Sequence, residues 1–63
     1  MACKIKFSTN NAAYRNYDDG SLNEESVATS LRKIADDIDN GFKSGVVMDY
    51  NGNKVGRWSI DED

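Results

Sequence analysis

Eleven carboxylates, eight Lys and Arg side chains, one cysteine and no histidine make up the reactive inventory of this 63-residue chain, whose net charge is −3. The acids fall into groups: Asp18-Asp19, Glu24-Glu25, Asp36-Asp37-Asp39 and Asp61-Glu62-Asp63. Clustered carboxylates can hold a divalent cation through hard oxygen ligands. Here Asp36 and Asp37 fall on a helical pattern and so point about 100° apart, and neither an EF-hand loop nor an alternating Asp ladder is present. They read as a solvated face, with no metal and no cofactor expected. A second use of such acids is mimicry of a phosphate backbone, with Asp18, Asp19 and Asp36 presented to a basic groove on a partner. Arg32 and Lys33 interrupt that surface. Without histidine, the commonest general acid/base and every Ser-His or Cys-His nucleophile arrangement are missing, so an enzyme is not expected. Gly45, Gly52 and Gly56 lack the spacing of a phosphate-binding loop. Cys3 lies in a strand pattern and is expected to face the core as a small hydrophobe. A net negative chain is poorly suited to neutralising phosphates, which makes nucleic acid an unlikely ligand.

Binding to a protein partner uses other side chains. Tyr and Arg are frequent energetic anchors of interfaces, which marks Tyr14, Tyr17, Tyr50 and Arg57 as partner-binding candidates alongside the three acids. The competing reading folds the tyrosines back over the core and leaves Arg57 as a solubilising neighbour of a core Trp58.

The elements that position these residues follow from periodicity. Cys3, Ile5, Phe7 and Thr9 alternate with Lys4, Lys6 and Ser8, a half-buried strand whose lysines suit a solvated edge. Asn10 to Gly20 is polar and turn-rich. Ser21-Leu22-Asn23-Glu24 fits a capping box. Val27, Leu31, Ile34, Ala35 and Ile38 then form one helical stripe, and Asn40-Gly41 supplies a left-handed stop. A helix from about Leu22 to Asp39 is predicted. Val46 to Tyr50 and Lys54 to Ile60 flank Asn51-Gly52, a strong hairpin signal. A two-residue loop would pair Met48 with Val55 and Asp49 with Lys54. A three-residue loop with Gly52 left-handed would pair Val47 with Val55 and Asp49 with Asn53. The second places Val46, Met48, Trp58 and Ile60 on one apolar face and is preferred.

The order β-α-β-β implies a single two-layer α+β domain over residues 1–63, with one helix on a three-stranded antiparallel sheet. The strand order 1-3-2 is expected, with insertion of the first strand beside the second as the alternative. A chain this short buries only about 60% of its unfolded surface. A lone cysteine forms no intrachain disulfide, and zinc spacings are absent. A second copy joined through the bare sheet face or a sheet edge is the remaining aid, so a homodimer is expected. Apolar runs are far shorter than the roughly 20 residues that span a bilayer. No signal-peptide pattern opens the chain, and a cytoplasmic protein is expected.

Three blocks carry a resemblance: Lys4-Ile5-Lys6-Phe7-Ser8-Thr9-Asn10-Asn11-Ala12-Ala13-Tyr14, Leu31-Arg32-Lys33-Ile34-Ala35-Asp36-Asp37-Ile38-Asp39-Asn40-Gly41, and Asp49-Tyr50-Asn51-Gly52-Asn53-Lys54-Val55-Gly56-Arg57-Trp58. Together they resemble short proteins encoded by bacteriophages and prophages. Small phage proteins of this kind include inhibitors of bacterial immune systems, among them short homodimeric inhibitors of the Hachiman defence system. The resemblance implies a non-enzymatic accessory protein that binds and blocks a host protein, a component of an anti-phage defence system, in the host cytoplasm. The alternative is a small nucleic-acid-associated regulatory module that reads DNA through its lysine-bearing strand.

Overall fold

The computed structural model describes residues 1–62; Asp63, last of the acidic terminal trio, lies outside the described residues. Strand β1 spans Ala2–Phe7, helix α1 Glu24–Asp39, strand β2 Ser44–Met48 and strand β3 Lys54–Asp61, with a short 3-10 turn at Ala12–Tyr14. The sheet is antiparallel in the order β1-β3-β2, as expected, with one helix against it.

Register decides which side chains share a face, because directly opposed residues project the same way. In β1, Cys3, Ile5 and Phe7 oppose Ile60, Trp58 and Gly56, while Lys4 and Lys6 oppose Ser59 and Arg57. In β2, Gly45 and Val47 oppose Trp58 and Gly56, and Ser44 and Val46 oppose Ser59 and Arg57. One face therefore carries Trp58 and Val47 toward α1, and the other carries Lys4, Lys6, Val46 and Arg57 toward solvent.

The hairpin has the three-residue loop: Asp49 N donates to Asn53 O at 2.9 Å, Gly52 N donates to Asp49 O at 3.0 Å, and Gly52 has φ of 85°. A bulge then intervenes, so that Met48 opposes Lys54 but Val47 opposes Gly56 rather than Val55. An extra residue in one strand changes the parity of everything beyond it. Val46 and Met48, expected beside Trp58, are instead outside and 48% exposed each, while Val47 is buried. Gly56 permits the bulge, since a Cβ there would run into the Lys6 carbonyl and the Phe7 Cα and Cβ.

Helix α1 begins later than the capping-box pattern predicts. Asn23 is the N-cap, its side chain accepting from Ser26 N at 3.2 Å. Ser21 is engaged with the preceding turn, its N–H and hydroxyl donating to Asp19 at 2.9 and 2.7 Å. Glu24 and Glu25 occupy the first turn, where they favour the positive end of the helix dipole. At the other end Phe42 N donates to Asp37 O and Gly41 N to Ile38 O, with Gly41 at φ 94°, a Schellman stop.

The buried stripe of α1 is also rotated from the predicted one. Ile34 and Ser30 are buried and Val27 and Ile38 half-buried, whereas Leu31 and Ala35 are exposed. The reason is the segment before the helix. Ala13 and Tyr14 insert into the core, and the Tyr14 hydroxyl hydrogen-bonds the Ser30 hydroxyl at 2.8 Å, drawing a polar helix position inward. Tyr14 also packs on Phe7 with ring centroids 5.6 Å apart. The main cluster joins Ile34, Val47 and Trp58, bordered by Phe7, Ile38, Val55 and Ile60. Because α1 covers the β2–β3 half, β1 is left largely open. Cys3, expected in the core, is exposed there, and Ile5 is 41% exposed.

Candidate functional site

Between α1 and the free edge of β2 runs a groove of about 830 Å³. Its helix wall carries small side chains, Ser26, Thr29 and Ser30, followed by Lys33 and Asp37. Small residues there leave the space open. The opposite wall is the β2 edge from Ser44 to Met48, and Phe42 and Tyr50 stand at its two ends. Phe42 is 59% exposed and Tyr50 78% exposed, and with Val46 and Met48 they form a run of large apolar side chains in water. Such contiguity marks interaction surfaces, whereas single exposed apolar residues do not.

Two features hold this wall in place. Gly45 lies against Trp58: a Cβ at Gly45 would stand 2.8 Å from Trp58 Nε1, so only glycine lets the strand approach the buried indole. Asp49 anchors the turn that carries Tyr50. Its carboxylate accepts from Asn51 N and Asn53 N, both at 2.9 Å, from Asn53 Nδ2 at 3.3 Å, and from Asn11 Nδ2. These donors, the Asn53 N–H first among them, hold the carboxyl below its ordinary range against the opposing effect of desolvation. Asn11 thereby ties the loop after β1 to the hairpin. On the helix rim, Lys33 Nζ donates to Asp37 Oδ1 at 2.6 Å, which raises the Lys33 pKa. Among the described residues, Trp58 Nε1 and Asn11 Oδ1 are the buried side-chain polar atoms without a hydrogen-bond partner.

The open sheet face, to which Val46 and Met48 project beside Arg57 and Lys54, is otherwise cationic. Lys6 and Arg57 oppose each other across β1 and β3, and with Lys54 they border a smaller hollow of about 400 Å³. Lys4 lies on the same face of β1, two residues from Lys6. Half of the chain's eight cationic side chains thus gather there despite its negative net charge.

The seven partner-binding candidates are not brought together. Tyr50 stands at the groove. Arg57 is on the open sheet face. Tyr17 is fully exposed in a turn with Asp18 and Asp19, both exposed, and the Asp19 carboxyl is held below its ordinary range first by the Ser21 hydroxyl and then by its N–H. Asp36 is exposed on α1. Tyr14 is 1% exposed and offers no contact surface, because its ring fills the core and its hydroxyl is occupied by Ser30. Phe42, Val46 and Met48 are not among those candidates, and the preferred register had put Val46 and Met48 on the core face. The signal for them was the uncharged run from Ser44 to Met48 beside an apolar residue just past the helix stop.

Among the described residues, no three His, Cys, Asp or Glu side chains are grouped to hold a metal ion, and no helix is long and apolar enough to cross a membrane. No family model, curated protein or solved structure matches the chain.

Proposed function

We propose that this chain is a non-enzymatic binding protein that acts as a homodimer and blocks a host protein by covering its surface. The observation that carries this reading is the exposed apolar run of Phe42, Val46, Met48 and Tyr50 around a groove beside an edge strand. Leaving that much apolar side chain in water is unfavourable at ~25 cal/mol per Å², and burial against another protein recovers it. The phage setting, a defence component as target and the host cytoplasm as location rest on the resemblance of the three sequence blocks.

The test is functional. The chain is expressed in bacteria carrying single defence systems, and plaque formation by a sensitive phage is scored. Restored plaques with one system, together with stoichiometric co-purification of one of its components, support the reading. Unchanged plaque counts across a broad panel of systems would sink it.

A second reading is favoured by one observation, the gathering of Lys4, Lys6, Lys54 and Arg57 on the open sheet face. Such a face could track a nucleic-acid backbone. Binding to DNA that weakens steeply with salt, and falls with Lys6→Gln and Arg57→Gln, is its signature. No retardation of DNA at low salt removes it.

A further inference from the structure

The two edges of the sheet are unlike. At the β1 edge, Lys4 and Lys6 place charge where a second strand would arrive, the usual protection against unwanted pairing. The β2 edge, Ser-Gly-Val-Val-Met, has no charge and no proline. Its bulge lies on the side of β3, so the free edge stays regular.

Main-chain direction along β2 follows from its flanks. Ile60 N donates to Lys43 O at 2.8 Å, and Asp49 N donates to Asn53 O at 2.9 Å. Alternation then turns Gly45 and Val47 toward β3 as well, and turns the N–H and C=O of Ser44, Val46 and Met48 outward. These three outward positions are symmetric about Val46.

We infer that the β2 edge pairs antiparallel with β2 of a second copy about a two-fold axis at Val46, joining two sheets into one. This rests on the dimeric reading above and says where that dimer forms. In this register Val46 opposes Val46 of the other copy, Ser44 opposes Met48, and each pair exchanges both N–H···O bonds. Phe42 is brought toward Tyr50, so the two exposed aromatics of the groove cover one another. A slip of two residues loses an outward pair. The same two-fold sets both helices on one side of the joined sheet. Ser26, Thr29 and Ser30 on the groove wall are small enough for a second helix to approach at the usual 8–10 Å spacing of packed helices. The groove is then the seat of the second copy.

Light scattering after size exclusion at micromolar concentration is expected to give twice the 7.0 kDa chain mass. Val46→Lys sets two ammonium groups against each other on the axis and is expected to weaken dimerisation by about 100-fold or more, leaving a folded monomer. Hydrogen exchange of the unmodified protein provides a check that needs no variant. The amides of Ser44, Val46 and Met48 should be protected when concentrated and exchange rapidly on dilution. A wild-type monomer overturns both this assignment and the dimeric reading. A dimer that survives Val46→Lys, or whose Val46 amide exchanges freely when concentrated, overturns the β2 edge alone.

Discussion

The contact between Tyr14 and Ser30 should behave as a coupled pair whose loss is felt mainly when one member is left behind. Their hydroxyls lie 2.8 Å apart, with Tyr14 1% and Ser30 9% exposed, so neither has ready access to water. Tyr14→Phe keeps the ring against Phe7 and strands the Ser30 hydroxyl. An unsatisfied buried group costs about 1–3 kcal/mol. Serine on a helix can turn to the carbonyl four residues back, here that of Ser26, so the lower end, about 1 kcal/mol, is expected. Ser30→Ala strands the phenol instead, which has no such local acceptor, and about 2 kcal/mol is expected, less a few tenths returned by the helix propensity of alanine. Removing both hydroxyls leaves nothing unsatisfied, so the double variant should be no less stable than the worse single one. The coupling energy should therefore exceed about 0.5 kcal/mol. Urea denaturation followed by Trp58 fluorescence measures all four proteins. In a domain this small, 1 kcal/mol corresponds to a melting shift of roughly 4–8 °C. Additive single effects, with coupling within about 0.3 kcal/mol of zero, would refute the placement of Tyr14 on α1 and with it the reason for the rotated helix stripe.

Three other outcomes follow from the same geometry. Gly56→Ala drives a methyl group into the backbone of β1 and should cost about 3 kcal/mol or more, the upper end of overpacking, with β1 amides losing exchange protection first. Asn23→Ala removes the cap of α1 and should cost about 1 kcal/mol by denaturation midpoint, while Ser21→Ala, in the pair the sequence pattern favoured, should cost less than about 0.5 kcal/mol. Asp49 has a folded-state pKa below its ordinary 3.8, so its contribution to stability is present above that value and is lost as pH falls through the lower folded value. The acid limb of stability should therefore be shallower in Asp49→Asn, and equal slopes for the two proteins below about pH 4 would show that the Asn51 and Asn53 donors do not hold this carboxylate.

Local chemistry alone determined the existence and order of the elements. Alternation in Cys3 to Thr9, the stripe through Ile34 and Ile38, the Gly41 stop and the Asn51-Gly52 turn are each short-range preferences, and of the two strand orders compatible with them the sheet adopts 1-3-2. What lay beyond reach was everything decided by parity and by which half of the sheet the helix covers. One bulged residue beside Gly56 moved Val46 and Met48 from the core face to the open one, because side-chain direction alternates with a period of two and any insertion inverts it. Tyr14 and Tyr17, three residues apart in one loop, ended at opposite extremes of exposure, since only Tyr14 reached both Phe7 and Ser30. Ser21 fitted a capping box but was already bonded to Asp19, which left Asn23 to cap. The same tertiary choices built the candidate site. The small helix residues, the edge strand and the apolar side chains at its ends come from three separate stretches of sequence, and they meet only where α1 packs over β2.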